Sequence, residues 1–454
     1  MTDTVSPEKQ TFYQKLGEIA GAKNVRTGEK ATASYMVDGF APQAVVFPTS
    51  TEQVASIIKA ANESRKTLIP WGGGSKQQIG PCLEAVDTVV CLKNMNRVVE
   101  LDAGNFTVKV QAGMVNGELQ RQLIKTNLFF PLEPLHAESS TIGGEIATNA
   151  NGPGRIMYGA TRDLILGVTV VTPTGDIVHT GGKTMKNVAG IDLCRMYIGS
   201  WGTLGVITEA VLRLFPLPEV RTGLYITFTS PEDAFRVVGQ LLNSPLTPSA
   251  IELVDSVTGN NLADTIGSSL NDNEVLLIVN YEGTKGDVKR HQKDIVSLAE
   301  ANKAKSTLTL KGEKASRAWK AYRGVHEAML IASSATLQGK ASVPISKLGD
   351  MFQQLKKISA SHGVQTGMTA HCGNGILYTY LTDKPERLVT IAGVLKNAAA
   401  SLGGFFLVES APLSIRKEVA VLPPRNDYQL MRRLKTEFDP KSILNPGRLV
   451  GGSF

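Results

Sequence analysis

The stretch Thr67-Leu68-Ile69-Pro70 runs directly into Trp71-Gly72-Gly73-Gly74-Ser75-Lys76-Gln77, and few folds accommodate that. Three consecutive glycines after a strand permit positive φ and close backbone approach, and their amides can converge on an anion. Ser75 and Gln77 add side-chain donors, and Lys76 adds charge. Upstream, Ala44-Val45-Val46-Phe47 reads as a buried strand closed by Pro48. Ser50-Thr51-Glu52-Gln53 then forms a capping box that opens a helix with Val54, Ile57, Ile58 and Ala61 on one face. Strand, helix, strand, glycine loop is an α/β arrangement with a site at a strand end. By itself the triple glycine reads best as a surface turn. A second loop changes that reading: Ser139-Ser140-Thr141-Ile142-Gly143-Gly144-Glu145-Ile146-Ala147-Thr148-Asn149-Ala150-Asn151-Gly152 is again dense in small residues and hydroxyls. Two such loops suggest one elongated, phosphate-bearing dinucleotide held from two sides, without a Rossmann fold.

Competing motifs fail on spacing. Gly181-Gly182-Lys183-Thr184 lacks the first glycine of a P-loop, since position 177 is Ile177. His326-Glu327 lacks the second histidine of a zinc-protease helix, because that position is Leu330. Gly199-Ser200-Trp201-Gly202 is one residue short of a nucleophile elbow. Gln77 breaks the Gly-x-Gly-x-x-Gly of nicotinamide enzymes. The net charge is +7 and scattered. Its densest group, Arg432-Arg433-Lys435, lies in a helical pattern beside Glu437 and Asp439 and reads as a solvated face, so no nucleic-acid partner is expected. Cys82, Cys91, Cys194 and Cys372 form no Cys-x-x-Cys pair, which argues for inert thiols over a zinc ribbon, iron–sulfur cluster or disulfide scaffold.

A chain of 454 residues exceeds what one core sustains, so two or three domains are expected. Boundaries fall near Leu217, within Pro216-Leu217-Pro218, and at Pro423-Pro424. They divide the chain into 1–216, 217–424 and 425–454. A helix is expected near residues 13–20, a strand at 167–172, then strand 223–229, helix 231–242, strand 274–281 and helix 287–302. No internal repeat of fixed period is visible. No apolar run approaches the ~18 residues of a membrane span. The opening Met1-Thr2-Asp3-Thr4-Val5-Ser6 has no basic flank or apolar core, so the expected compartment is the cytoplasm, extending to the inner face of the membrane through partners.

The ordered set of motifs resembles the vanillyl-alcohol-oxidase-type (PCMH-type) FAD-binding family. It comprises the Trp71 loop, Pro134, the Thr141–Asn149 loop, Tyr158-Gly159-Ala160-Thr161-Arg162-Asp163, Lys186-Asn187-Val188-Ala189-Gly190, and Gly199-Ser200-Trp201-Gly202-Thr203-Leu204-Gly205-Val206-Ile207-Thr208-Glu209. The closing Phe438-Asp439-Pro440-Lys441-Ser442-Ile443-Leu444-Asn445-Pro446-Gly447-Arg448 resembles the family's C-terminal signature. Within the family the chain is similar to the D-lactate, glycolate and 2-hydroxyglutarate dehydrogenase branch. Its Asn-Pro-Gly-Arg ending and short length look most like the FAD-containing E-type subunits of bacterial glycolate oxidase complexes. The resemblance implies an α+β chain: a two-subdomain FAD domain, a ferredoxin-like cap and a C-terminal segment returning to the FAD domain. It implies that Trp71, Gly72, Gly73, Gly74, Ser75, Lys76 and Gln77 cover the pyrophosphate. Pro134, Ser140, Thr141, Gly143, Gly144 and Asn149 would line the flavin and ribityl side, and Val206 would meet the cofactor through its backbone. With no histidine between Trp71 and Gly80, the flavin is expected to be noncovalent. His136 is assigned a hydrogen-bonding or solvent-facing role.

On the substrate side the pattern breaks. Catalytic members of the branch carry His-x-Gly-Asp-Gly-Asn-x-His and then Glu-His-Gly, which bind a divalent metal. Here the first motif reads His371-Cys372-Gly373-Asn374-Gly375-Ile376-Leu377-Tyr378 and the second Glu409-Ser410-Ala411. No metal is therefore expected. Cys372, adjacent to His371 on a strand, would point to the opposite face. The resemblance leaves His371 as the base, Arg323, four residues after Trp319, as the candidate partner of a substrate carboxylate, and Asn374 beside them. His291 and His362 look solvated and His179 structural. The expected protein is a FAD-dependent subunit of a 2-hydroxy-acid (glycolate or D-lactate) dehydrogenase complex that carries electrons through its noncovalent flavin, partnered by a homologous FAD-bearing catalytic subunit and an iron–sulfur subunit. A stand-alone, metal-free D-2-hydroxy-acid dehydrogenase and a flavin-bearing assembly subunit are the alternatives.

Overall fold

The helix that Ser50 opens forms over Thr51–Ser64, with the Gln53 amide donating to Ser50 Oγ at 3.2 Å. Val54, Ile57, Ile58 and Ala61 are its buried stripe. It crosses between two parallel neighbours of one strand: Ala44–Val46 and Leu68–Trp71 both pair in parallel with Thr88–Cys91. Val25–Thr27 adds an antiparallel edge. This is a computed structural model; it describes residues 7–184, 190–267, 269–333 and 335–448. The motif residues Lys186, Asn187, Val188 and Ala189 lie outside the described residues, as do Met1 to Ser6.

A second, antiparallel sheet carries Val98–Asp102, Thr107–Gln111, Val206–Arg213, Ile165–Val171 and Ile177–Gly181 in that spatial order. Ala44, Val46, Val54, Ile58 and Leu68 of the first sheet layer share one apolar core with Val108, Val110, Val168, Val170 and Ala210 of the second. These two sheets belong to one unit, formed by the chain up to Asn151, by Ala160–Leu217 and by the segment from Arg425. The helix Tyr428–Phe438 lies in that segment. There the expected solvated face is corrected at one residue. Lys435 is 9% exposed, pairs with Asp439 at 2.5 Å and donates to the carbonyls of Thr203 and Leu444. A buried ammonium needs such partners, because its desolvation is otherwise uncompensated.

The other unit, Gly152–Gly159 with Pro218–Pro424, is built on an eight-stranded antiparallel sheet. Its topology contains a duplication that the sequence does not show. Val220–Phe228, Ala250–Asp255, Val275–Gly283 and Ser306–Lys311 form a strand–helix–strand–strand–helix–strand run whose spatial order is fourth, first, third, second. Thr336–Ser342, Gln365–His371, Ile376–Thr382 and Phe405–Ser410 repeat that connectivity and order. Each half has the ferredoxin-like plan, and the halves join edge to edge through Ala250–Asp255 and Gln365–His371. Helices Pro231–Leu242, Lys285–Ala301, Leu348–His362 and Pro385–Ser401 contribute to one continuous apolar layer on one face. Helix Gly312–Ile331 covers part of the other face, packing Ala318, Tyr322 and Val325 on Tyr225, Val254, Leu276 and Ile278. His291 is likewise corrected: it is 6% exposed and stacks edge-on against Tyr281, so it belongs to the core.

Candidate functional site

In the first unit, the strand Leu68–Trp71 ends at the triple glycine, and the reason for the glycines is visible. A Cβ at Gly73 would lie 2.9 Å from the Ser139 carbonyl carbon and nearer still to its oxygen. A Cβ at Gly72 would overlap the Thr141 hydroxyl. Gly74 has φ 78° and tucks beneath the Trp71 indole, itself held edge-on by Tyr35 at 5.1 Å. The first loop is thus pressed against the second. The amides of Gly73, Gly74 and Ser75 make no hydrogen bond within the described residues, which leaves donors for an anion.

Between the loops lies a cleft open to solvent. Trp71, Gly72, Gly73, Gly74, Ser75, Lys76, Gln77, Pro134, Ser140, Thr141, Gly143, Gly144 and Val206 all line it. Asn149 does not: it follows the short helix Ile142–Ala147 in a left-handed conformation, φ 47°, and its carbonyl accepts from Asn151. Sequence reasoning missed Glu145, Trp201, Asn445 and Arg448, which also line the cavity. Glu145 is 2% exposed and is held by Ser140 Oγ at 2.5 Å and Asn116 Nδ2 at 2.9 Å. Asn445 Nδ2 donates to the Trp201 carbonyl at 2.6 Å, while Asn445 Oδ1 is buried with no partner among the described residues. The motifs containing Trp201, Asn445 and Arg448 were visible in sequence, but the contacts that give them a role are distant. Two glycine-lined walls, unused amides and an orphaned acceptor all fit a flavin dinucleotide, with its phosphates and its ribityl and ring donors.

In the second unit a polar cluster sits at the seam of the duplicated halves. Glu252 and His371 are directly opposite on the two joining strands, which places their side chains on one face. Glu252 is 1% exposed; its Oε2 accepts from His371 Nδ1 at 2.5 Å and from the Tyr322 hydroxyl, while Oε1 has no partner among the described residues. Burial, reinforced by Glu252, pushes the Tyr322 hydroxyl well above its ordinary value, so it remains a donor. With Nδ1 committed to a carboxylate, Nε2 of His371 is the nitrogen that can take a proton. The His326 ring lies 6.5 Å from that of His371, and Tyr378 packs edge-on against both, at 5.0 and 5.4 Å. Tyr380 is hydrogen-bonded to His326 Nδ1.

The donor set does not fit the divalent-metal motif that the sequence resemblance implies. His371 is tied to Glu252, Tyr378 stands at the second histidine position, and burial keeps its phenol protonated. Glu409 is 3.8 Å from Lys340 Nζ and accepts from Gln338 Nε2 at 3.1 Å, so a cation and an amide occupy its oxygens. Cys372 is fully buried in the helix-covered core, and burial pushes its thiol well up. Arg323 is half-buried on helix Gly312–Ile331, which also supplies Tyr322 and His326; it is offset by about 100° from Tyr322 around the helix. Asn374 lies in the short turn Cys372–Asn374 between two strands, with Gly375 at φ 66° completing it.

Comparison with known proteins agrees with this architecture. Residues 42–181 match the family described as FAD binding domain, and residues 217–449 the family described as FAD linked oxidases, C-terminal domain. Glycolate oxidase subunit GlcD of Bacillus subtilis is 30% identical over 96% of this chain and 96% of its own length. D-lactate dehydrogenase of Archaeoglobus fulgidus is 30% identical over 89% of this chain and 91% of its own length. D-lactate dehydrogenase of Anaerostipes hadrus is 28% identical over 98% of each. Among solved structures, p-cresol methylhydroxylase matches with TM-score 0.77 at 17% identity over 98% of this chain and 97% of its own, which speaks to fold alone. Of the described residues, no helix is long and apolar enough to cross a membrane. Two family matches in chain order, and a relative aligned along almost the whole length, establish that the chain belongs to the FAD-linked oxidases and is an FAD-dependent oxidoreductase.

Proposed function

We propose that the chain oxidises a 2-hydroxy acid without a metal, as a cytoplasmic subunit of a larger redox complex. The observation that carries this reading is the Glu252–His371 pair, an imidazole oriented by a buried carboxylate at the seam of the cap. When bound, FAD supplies a two-electron acceptor for the hydride of the substrate α-carbon. His371 Nε2 takes the hydroxyl proton, and Glu252 stabilises the imidazolium that results. Arg323 and Asn374 are the groups we assign to the substrate carboxylate and its surroundings. The cavity residues from Trp71 to Val206 hold a noncovalent FAD, residues 1–151, 160–217 and 425–454 forming the FAD domain and 152–159 with 218–424 the cap.

Membership of a complex is supported by the name of one relative, a glycolate oxidase subunit, and by cysteine spacing unsuited to an iron–sulfur cluster in this chain. A homologous FAD subunit and an iron–sulfur subunit are the partners we assign. A metal would orient substrate and lower the hydroxyl pKa; doing without one stabilising interaction of that kind commonly costs ~3–4 kcal/mol, or two to three decades in rate. Anaerobic mixing of the FAD-loaded chain with D-lactate or glycolate, followed by flavin absorbance, tests this. Slow bleaching alone and faster bleaching with co-purified partners is expected. Bleaching within a second at millimolar substrate would replace the subunit reading by a stand-alone dehydrogenase. No bleaching by any 2-hydroxy acid, with or without partners, would refute the substrate class.

A further inference from the structure

We infer that Arg448 is a positioning residue of the cofactor cavity, and that the turn Asn445-Pro446-Gly447-Arg448 latches the phosphate loop, so that docking of this turn and FAD binding favour each other. The inference rests on the reading of the cavity as the FAD site.

Arg448 is 1% exposed, and its guanidinium is spent on backbone. Nη2 donates to the Gln77 carbonyl at 2.7 Å, and Nη1 to those of Ile79 and Pro81 at 2.9 and 3.0 Å. Asp38 lies 3.6 Å from Nη2 and accepts from the Leu83 amide at 2.9 Å. The held segment follows the triple glycine directly and belongs to no strand or helix, so no hydrogen-bond ladder sets its course. A planar fork that spans alternate carbonyls does so instead.

The same turn grips the other rim. Asn445 donates through Nδ2 to Trp201, and its amide donates to Leu68 at the start of the strand that enters the glycines. The Leu68 amide in turn donates to Ile443 at 2.7 Å. Asp439 accepts from the amides of Ile443 and Leu444, which fixes the approach to the turn. One short turn, far along the chain from both loops, therefore determines where Gln77 and Trp201 stand. Whatever binds between them must stabilise the docked turn to the extent that the docked turn stabilises it.

The test uses the full chain, stripped of flavin and titrated with FAD by fluorescence quenching. Arg448→Ala should weaken FAD by about 5–150-fold, the usual range of a coupling between sites. Arg448→Lys should not restore affinity, because a single ammonium lacks the two separated nitrogens of the planar fork, Nη1 on Ile79 and Pro81 and Nη2 on Gln77. In the wild type, hydrogen exchange should show FAD protecting residues 443–448 together with residues 72–83; this holds even if Arg448→Ala does not fold. A purely structural role would lower apo-protein stability but leave both the affinity of folded molecules and the exchange of 443–448 untouched, and that result overturns the latch. Gly73→Ala separates the two ideas. If it weakens FAD while Arg448→Ala does not, the latch alone fails. If neither weakens FAD, the cavity is not the FAD site.

Discussion

Gly73→Ala adds a single methyl group, and the structure says where it goes. The new Cβ would stand 2.9 Å from the carbonyl carbon of Ser139, whereas carbon atoms in contact settle at about 3.5–4.0 Å. The two loops must therefore part by at least roughly 0.6 Å, and by more along the carbonyl oxygen. Ser139 cannot easily yield, because its amide and that of Ser140 both donate to the His136 carbonyl, at 2.8 and 2.7 Å. Overpacking of this kind costs about 1–3 kcal/mol. The obstacle is the protein's own second loop, so the cost falls on the apo-protein as well as on the complex. Chemical denaturation of flavin-free protein should show that loss, and FAD titration should show a further weakening of about tenfold for each 1.4 kcal/mol of misplaced amides. Gly239→Ala is the control: it lies within helix Pro231–Leu242 with nothing near its Cβ, and should gain about 0.5–1 kcal/mol. If Gly73→Ala kept wild-type apo stability and lost only FAD affinity, the glycine would be making room for the ligand and not for the second loop. If both were unchanged, the loop contact would be wrong.

Glu252→Gln keeps the shape of the seam but removes the charge facing His371; flavin reduction by substrate in the assembled complex should slow by roughly 10²-fold, and an unchanged rate would remove the pair from the chemistry. In the native protein at pH 8, a thiol reagent should titrate Cys82 alone. Burial pushes the thiols of Cys91 and Cys372 up and that of Cys194 to about 11, so prompt labelling of any of these three would contradict the packing. Burial also lifts the Asp255 carboxyl to about 6, against the opposing hydrogen bonds from Thr258. A folded pKa above the unfolded value contributes stability at low pH that is lost as pH rises through 6. Between pH 4 and 7 the wild type should therefore lose about 2–3 kcal/mol relative to Asp255→Asn, and parallel pH profiles of the two proteins would refute it.

What the sequence revealed was local. Ser50 and Gln53 mark a helix start because capping is a contact three residues long, and Val54, Ile57, Ile58 and Ala61 mark its buried face because the period is set by the helix itself. The glycine loops were legible for the same reason, although which wall they make room for was not. Glu252 escaped notice because its partner is 119 residues away and register between distant strands leaves no local pattern. Lys435 was read as solvated because periodicity identifies a face and not what covers it; Thr203 and Leu444 cover this one. Asn149 is named by its place in a motif, and nothing local to it announces its left-handed conformation. The duplication in the cap is one of connectivity, with no residue period to betray it.

The seam between those halves has a consequence for how the cap assembles. Inside the first half, Val220–Phe228 and Val275–Gly283 are joined by nine register pairs, whereas the seam has three: Glu252 with His371, Leu253 with Ala370, Val254 with Thr369. Closing it brings together strands more than a hundred residues apart in the chain, an entropic step that local hairpins do not face. Each half can therefore collapse around its own strands first, with the join as the late, slow event of folding. The Glu252–His371 hydrogen bond straddles that join. A cap with both halves formed but not yet zipped would have all its helices and no Glu252–His371 contact, so the pair we assign to proton transfer arrives only with the last piece of tertiary structure.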